Sequence, residues 1–297
     1  MRIAVIPASP RTGKATIEAL LQDPSAPQVV AVYRDTSKAP TEFKSSPRFE
    51  AVQGDVGDAS SLNLEGVDVV VAISPPIYGG NPDPITAASA NALSVSEAIK
   101  KSSTVKKVVY LSSWGAEHEH GTGEIGANHA AETVLKDIAS EVVFVRCAYF
   151  MHNWNLPTLK EEKPFVYSTV TPVDFKVPMV AVKDIGHACA AQAVDTKPLP
   201  QSPYAFRLFG PEDYSTNDVQ QALGEVLGKE VRVETVPVEG FLGFFSHVFP
   251  PNVAQLFTDM TKSFLPGGVL DATRQNGDET KRGKVDLVEG FKEMLSA

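Results

Sequence analysis

The chain has 297 residues, of which 43% are hydrophobic and 21% charged, a composition typical of a globular protein and unlike that of a disordered or fibrous one. Its 27 Lys and Arg residues against 36 Asp and Glu give a formal charge of -9, which disfavours binding to nucleic acid or to an anionic membrane surface. No apolar segment reaches about 18 residues, so we expect a cytoplasmic protein with no membrane span.

Short apolar runs alternate with amphipathic segments through the first half of the chain. The apolar runs predict strands at Arg2–Ile6, Gln28–Tyr33, Phe49–Gln53, Val67–Ile73, Lys107–Ser112 and Glu141–Arg146. The amphipathic segments predict helices at Gly13–Gln22, Asp83–Lys101 and Asn128–Ala139. Right-handed crossovers assemble such units into an α/β, Rossmann-type doubly wound parallel sheet, with a ligand crevice at the carboxyl ends of its strands. We therefore interpret residues 1–150 as a dinucleotide-binding domain.

The second half of the chain, from about Met151 onwards, is rich in proline and aromatic residues. It contains predicted helices at Ser215–Leu227 and Val253–Lys262. We interpret residues 151–297 as a smaller substrate-binding region. A further helix, predicted at Asp184–Val194, is expected to pack back on the first sheet, so the two parts are interleaved near residues 178–195.

The cysteines and histidines of the chain show no pattern of a disulfide or metal framework. Cys147 and Cys189 lie in apolar stretches, which favours buried free thiols and a reducing compartment. Apart from His118 and His120, no histidines or cysteines have paired ligand spacing, so we expect no metal site.

The turn after the first predicted strand, residues 7–13, is where a dinucleotide fold binds phosphate through backbone N–H groups. Pro7 and Pro10 stand where a G-x-x-G-x-x-G pattern has glycines, and proline has no N–H to donate. The groups that remain for phosphate binding are Ser9, Arg11, Thr12 and Gly13. The alternative is a Rossmann scaffold that has lost its cofactor.

The second predicted strand is followed by cations. An acidic residue at its end would accept hydrogen bonds from the ribose of NAD, but here Arg34 follows the strand and Lys38 lies four residues further on. These two cations suit the 2′-phosphate of NADP(H), unless they form only a solvated surface pair.

Several motifs, in this order and spacing, resemble the NmrA-like family of atypical short-chain dehydrogenases. They are Arg11–Gly13, Arg34 with Lys38, Gly54-Asp55 with Asp58, Ser74–Pro76, Leu111–Ser113 and Val180–Gly186. The resemblance covers nearly the whole chain, and the segment Gly115–Glu132 is most similar to the fungal branch that acts on small molecules, often in secondary metabolism.

The resemblance implies NADP(H) in the crevice and assigns residues to its parts. Arg34 and Lys38 would lie near the 2′-phosphate, and Asp55 and Val56 near the adenine. The stretch Ile73–Pro76, which includes Ser74 and Pro75, would follow the ribose and nicotinamide. The nicotinamide side would be formed by Tyr149 and Phe150.

Ordinary short-chain dehydrogenases use a Tyr-x-x-x-Lys motif, in which the lysine lowers the pKa of the phenol that protonates the carbonyl. When this chain is aligned through Glu132, the lysine position falls on Asn128 and the tyrosine position on Glu124. In an apolar cleft the pKa of Glu124 would rise, so it is a candidate general acid or base; the alternative is an exposed acid in a glycine-rich loop. Two further candidates carry similar alternatives: His129 as a proton shuttle or a structural histidine, and Tyr78 as a substrate contact or packing.

Aromatic residues of the second half are candidates for substrate binding. Phe241, Phe244 and Phe245 lie close to prolines and glycines, and Trp154 comes earlier in the same region. Together with Trp114 they are expected to line an apolar pocket, on whose rings a cationic ligand such as an iminium would be stabilised, or else to fill core.

These features predict an NADP(H)-binding enzyme of small-molecule metabolism that acts on a C=O or C=N electrophile in an aromatic or alkaloid-like substrate. Hydride transfer to an iminium needs no strong proton donor, whereas a redox-neutral ring closure of Pictet-Spengler type needs an acid and a base, for which Glu124 is the candidate. The alternative from another class is a non-catalytic NADP sensor, as the resemblance to the founding NmrA proteins implies.

Overall fold

The computed structural model describes residues 1–75, 77–79 and 83–296. The strands in these ranges are β1 (Arg2–Ile6), β2 (Gln28–Tyr33), β3 (Phe49–Gln53), β4 (Val69–Ile73), β5 (Lys107–Ser113), β6 (Glu141–Cys147), β7 (Tyr149–Phe150), β8 (Phe165–Ser168), β9 (Val177–Val180), β10 (Tyr204–Phe209), β11 (Asp213–Tyr214), β12 (Arg232–Thr235) and β13 (Thr280–Arg282). The α-helices are α1 (Arg11–Gln22), α2 (Thr41–Lys44), α3 (Pro84–Lys101), α4 (Gly126–Leu135), α5 (Val182–Val194), α6 (Thr216–Leu227), α7 (Phe241–Ser246), α8 (Pro251–Phe264), α9 (Val269–Thr273) and α10 (Leu287–Ser296).

The main sheet has eight parallel strands in the order β3-β2-β1-β4-β5-β6-β10-β13. In β1, Ile3 is paired with Val29 of β2 on one side and Val69 of β4 on the other. Helices cover both faces of the central strands, so these strands bury nearly every side chain and read in sequence as continuous Val and Ile runs. The strand order reverses between β1 and β4, which places the ligand crevice at their carboxyl ends. The predicted fold class is confirmed.

Two helix layers cover the sheet. Helices α1 and α5 pack together on one face, and α3 and α4 pack together on the other, each pair over its own apolar core. A Cβ on Gly186 of α5 would lie 2.5 Å from the backbone of Ala15 in α1, so this glycine lets the two helices approach closely. The helix expected to pack back on the sheet therefore does so.

The second half of the chain contributes more to the main sheet than the sequence predicted. Besides α5, strands β10 and β13 extend the sheet beyond β6. The remaining elements form a three-stranded sheet (β11-β9-β7), a strand pair (β12-β8) and the helices α6 to α10. A domain boundary near residue 150 stays a prediction, and interleaving reaches as far as residues 204–209 and 280–282.

Most predicted elements lie within two residues of the observed ones. The largest difference is at the end of α4, which stops at Leu135 instead of Ala139, because the chain turns there and the N–H of Ile138 donates to the carbonyl of Leu135. Cys147 and Cys189 are both buried free thiols, as expected. Within the described ranges, no helix combines the length and the apolar character that crossing a bilayer requires.

Candidate active site

The first turn of α1 forms one end of the crevice, which we call the phosphate end. The helix begins at Arg11 after Pro10, no described side chain caps it, and its first turn has no acidic residue. The first N–H groups of a helix lack internal partners, so they are available to an anion here. Arg11 and Ser9 are exposed at this end, whereas Thr12 is buried and its carbonyl accepts a bond from the Thr16 hydroxyl (2.8 Å).

Gly13 lies in the first turn of α1, two residues after the helix begins, and not at its start as the sequence predicted. A Cβ at this position would lie 2.7 Å from the carbonyl oxygen of Ala8 and 2.9 Å from that of Pro7. The role of this glycine is therefore close packing of α1 on the turn after β1. The prolines leave that packing intact.

The end of β2 carries exposed cations, as predicted. Arg34 and Lys38 are both exposed to solvent. Asp35 lies between them and is also exposed. Its carboxylate accepts a bond from the N–H of Ser37 (2.9 Å), and bonding to Ser37 lowers its pKa. The end of β2 thus presents two cations beside one ionised carboxylate.

The turn after β3 contains the residues expected near the adenine. Asp55 accepts a bond from the N–H of Gly57 (2.9 Å) and donates its own N–H to the Ser61 hydroxyl (2.9 Å). Val56 is buried beside it. The adenine contact stays a prediction, since these bonds shape the turn itself.

A second part of the crevice contains three polar residues at four-residue spacing, Glu124, Asn128 and Glu132. We call it the carboxyl end, after the side-chain carboxyl of Glu124. Residues at this spacing share one face of a helix. Glu132 is buried and accepts bonds from Ser112 (2.6 Å) and from Nη2 of Arg146 (2.6 Å). Those bonds attach α4 to β5 and β6.

Asn128, one turn earlier on the same face, reaches a tyrosine that the sequence reasoning missed. Its Nδ2 donates to the hydroxyl of Tyr110 on β5 (3.4 Å), and that hydroxyl also lies 2.9 Å from Oγ of Ser74 at the end of β4. Tyr110 is fully buried, and burial raises the pKa of its phenol. A tyrosine inside an apolar strand was the available signal, because a buried phenol needs a hydrogen-bond partner.

Glu124, another turn earlier, is half-buried in a short 3-10 helix that precedes α4. Burial raises the pKa of its carboxyl from the ordinary 4.5 to about 7. Its charge in turn helps to raise the pKa of the Tyr78 and Tyr110 phenols, which burial raises most. Glu124 therefore lies near both phenols, and no described cation offsets the cost of ionising it.

Gly123 explains how the second half of the chain comes close to this carboxyl. Its φ is +56°, and a Cβ would lie 2.1 Å from the carbonyl oxygen of Leu256 and 2.3 Å from the nitrogen of Met260. The segment that carries Glu124 thus packs against the backbone of α8, which no residue with a side chain permits.

Four aromatic residues form a cluster, here called the aromatic wall, made of Tyr78, Phe245, Phe249 and Phe257. Phe249 and Phe257 are stacked with ring centroids 4.5 Å apart, and Tyr78 meets their edges at 5.4 and 5.2 Å. Phe245 lies 5.7 Å from Phe257. Phe244 lies next to the wall, 5.4 Å from Phe245. Phe257 was missed by the sequence reasoning, although it falls within a predicted amphipathic helix.

Three aromatic residues predicted to line a pocket lie in the core instead. Trp114 is 4% exposed and packs on Phe209, Trp154 is 2% exposed and packs on Tyr149, and Phe241 is 0% exposed. Large rings contribute most stability where both faces are covered, which is what these positions provide.

The other predicted residues have mixed surroundings. Nδ1 of His129 donates to the carbonyl of Ala116 (2.8 Å), which fixes the ring against the loop before α4. In β7, Tyr149 and Phe150 are half-buried, and burial raises the pKa of Tyr149 to about 12. Pro75 is half-buried after Ser74, and Pro76 lies outside the described residues.

One histidine near the phosphate end was not predicted, and no sequence motif marks it. Nδ1 of His152 is buried and has no hydrogen-bond partner among the described residues. Its pKa is lowered by burial and then by the nearby positive charge of Arg11. The charge of Arg11, at the start of α1, therefore acts on His152.

Comparisons with known proteins agree with this architecture. The solved structures that resemble it include the NADPH-dependent quinone oxidoreductase of Escherichia coli complexed with NADPH (TM-score 0.72, 19% identity, 99% of this chain and 100% of that one). They also include Citrobacter sp. triphenylmethane reductase complexed with NADP(H) (0.70, 18%, 99% and 100%). A third is NmrA, a negative transcriptional regulator (0.63, 15%, 99% and 91%).

At these identities the solved structures show a shared fold. No curated protein sequence matches the chain. The model of the NmrA-like family matches residues 1–286, which confirms the resemblance inferred from the motifs. The chain therefore belongs to the NmrA-like family.

Proposed function

We propose that the protein is an NADP(H)-binding enzyme of small-molecule metabolism that acts on a C=O or C=N electrophile in an aromatic, alkaloid-like substrate. The observation that carries this proposal is Glu124, whose carboxyl has a pKa of about 7 and lies close to the aromatic wall at one end of the crevice. A group with that pKa gives and takes protons at neutral pH, which is the requirement for general acid and base catalysis.

The phosphate end supports the cofactor assignment. The uncapped first turn of α1 and the exposed Arg11 fit a diphosphate, while Arg34 and Lys38 fit a 2′-phosphate. When bound, NADPH supplies a hydride for reduction of the electrophile.

The carboxyl end supports two reaction classes. Reduction of an iminium needs little proton transfer, so the absent Tyr-Lys pair is no obstacle. In ring closure of Pictet-Spengler type, protonated Glu124 assists loss of water as amine and aldehyde condense, and its carboxylate then accepts the proton whose departure restores aromaticity. The faces of the aromatic wall stabilise a positive iminium in either case.

The resemblance of Gly115–Glu132 to the fungal branch supports a place in secondary metabolism, in the cytoplasm. The similar structures are named a quinone oxidoreductase and a triphenylmethane reductase, and these names agree with a substrate that contains rings.

The reaction class is tested by supplying the protein with amine plus aldehyde, or with a preformed iminium, with and without NADPH. Product is followed by mass spectrometry and NADPH by nicotinamide absorbance. NADPH consumption equal to product supports reduction, whereas product without consumption supports ring closure. Binding of NADPH with no product from a broad panel would overturn the enzyme proposal in favour of a non-catalytic NADP sensor; the similar structure NmrA is a negative transcriptional regulator.

The cofactor assignment is tested by calorimetry with NADP+ and NAD+. Tighter binding of NADP+ is expected, because two cations follow β2. Equal affinities would contradict the 2′-phosphate site while leaving the carboxyl end untouched.

A further inference from the structure

Strand β12 forms one edge of the two-stranded sheet that it makes with β8. The N–H of Arg232 donates to the carbonyl of Pro164 (3.0 Å), and the parallel register continues this alternation as far as Val236. The residues between, Val233 and Thr235, therefore point their backbone N–H and carbonyl groups away from β8. No described residue forms a hydrogen bond with these outward groups.

This edge is open to another strand. Proteins usually protect a free edge with a proline, a bulge or a covering loop, because such an edge pairs readily with a second chain. Strand β12 contains no proline, and the residues on both sides of it, 228–230 and 237–239, are exposed. A sheet of only two strands is also weakly stabilised by its own pairing. The edge therefore has unused pairing capacity and space beside it.

The side chains on the outer face of β12 carry opposite charges. Arg232 and Glu234 are 58% and 43% exposed, and within one chain they lie only loosely paired at 3.9 Å. In an antiparallel pair of two β12 strands centred on Val233, Arg232 of each copy lies directly opposite Glu234 of the other. The outward N–H and carbonyl of Val233 then bond those of Val233 in the second copy.

The same charges exclude the neighbouring registers. An antiparallel pair centred on Arg232 places arginine opposite arginine, and one centred on Glu234 places glutamate opposite glutamate. A parallel pair in register places both like charges together. Like charges directly opposite each other destabilise a strand pair, so the charge pattern favours the one register that joins two identical strands across a two-fold axis.

We propose that β12 is a self-association edge, at which two copies of the chain pair antiparallel about Val233 and join their two-stranded sheets into one of four strands. Exposed apolar side chains lie near this edge: Tyr167, paired in register with Glu234, is 41% exposed, and Val238 is 38% exposed. The contact is short, so we expect a dimer with a Kd of about 10–100 µM. The proposal is independent of the proposed function.

Sedimentation equilibrium of the full chain tests this proposal over a concentration range of about 5–500 µM, which brackets the expected Kd. The mean mass should rise from that of the 31.9 kDa monomer towards that of a dimer. Arg232→Glu makes glutamates face glutamates, and Glu234→Arg makes arginines face arginines. Because the two-fold axis repeats each contact, either variant is expected to raise the Kd more than about tenfold.

A mixture of the two variants is the decisive arm. One copy then carries two glutamates and the other two arginines, so the opposite charges meet again and the mixture is expected to form a heterodimer. The matched controls are Glu97→Arg and Lys100→Glu, which reverse two exposed charges on α3. Alone or mixed, they are expected to associate like the unaltered protein. Circular dichroism checks that every variant is folded.

Each of four results would overturn the proposal. The unaltered protein remains a monomer at every concentration, or its dimer survives both reversals in β12. The mixture of the two β12 variants forms no heterodimer. The dimer is lost in the α3 controls and kept in the β12 variants, which would assign the contact to α3.

Discussion

At the phosphate end of the crevice, Arg11, Arg34 and Lys38 are exposed to solvent, whereas at the carboxyl end Glu124 is half-buried beside Tyr78 and Tyr110. Charges of the first kind are screened by water and salt, so each contributes little and binding depends on their number. The half-buried carboxyl of Glu124 is costly to ionise, and the fold retains it without a described cation partner. Glu124 is therefore a better indicator of catalytic chemistry than the exposed cations are.

The contrast also bears on the prolines at the phosphate end. Pro7 and Pro10 remove backbone donors, yet α1 still packs closely through Gly13 and presents its uncapped first turn. Compared with a glycine-rich turn, the phosphate end therefore has fewer backbone donors, but it keeps the partial positive charge of the helix start. Four changes, taken from the largest expected effect to the smallest, test whether the two ends differ in this way.

If the reaction is ring closure, Glu124→Gln is expected to lower turnover by about 100- to 10,000-fold with little effect on NADPH affinity, because it keeps the shape and removes the proton. If the reaction is iminium reduction, which needs little proton transfer, the loss should be much smaller. Steady-state kinetics with a titration of NADPH measures both. The matched control is Glu119→Gln, since Glu119 lies in the same segment and its side chain is 75% exposed. Unchanged turnover in Glu124→Gln would remove Glu124 from the mechanism.

Stability should fall with rising pH because of the same carboxyl. Its pKa is raised from 4.5 to about 7 in the folded state, so the fold binds that proton more tightly than the unfolded chain does. The contribution is fully present below about pH 4.5 and is lost as pH rises through 7, on the order of 3 kcal/mol in all.

Urea unfolding at several pH values measures this effect as the difference between the unaltered protein and Glu124→Gln. The difference is expected to change across the interval from pH 4.5 to 8, and Glu119→Gln is expected to follow the unaltered protein. A difference independent of pH would show that Glu124 is solvated, like the groups at the phosphate end.

The fold was predictable because its signals are local. Buried parallel strands read as Val and Ile runs, and Arg34 lies directly after β2, whereas Arg11 is the first residue of α1. The phosphate-binding role of these cations stays a prediction. Helix boundaries were less predictable, since a turn such as the one after Leu135 depends on hydrogen bonds that the apolar pattern does not encode.

The carboxyl end was only partly predictable because distant segments build it. Glu124 could be proposed from its position relative to Glu132, but Phe257 reaches Tyr78 only because Gly123 lets α8 approach. Aromatic composition alone did not separate the wall from the core, and Trp114 and Phe241 proved to be core residues. Hydrophobicity predicts burial, and only packing decides which ring faces a crevice.

Gly13→Ala is expected to destabilise the fold by about 1–3 kcal/mol and to weaken NADPH binding, because the new Cβ would overlap the carbonyls of Ala8 and Pro7 and displace the start of α1. Urea unfolding and fluorescence titration measure the two effects. Gly243→Ala in α7 is the control: its Cβ would meet no atom within 4 Å, so stability should be unchanged or slightly raised. Equal stabilities of the two variants would contradict close packing at the phosphate end.

Arg11→Ala should have the smallest effect, a loss of about three- to tenfold in NADPH affinity with no change in kcat at saturating NADPH. Because Arg11 is exposed, added salt should reduce the difference between the variant and the unaltered protein, as screening predicts. Lys229→Ala, which removes an exposed cation after α6, controls for net charge. A salt-independent loss would mean that Arg11 binds phosphate in a dry site, so that the two ends of the crevice follow the same electrostatics after all.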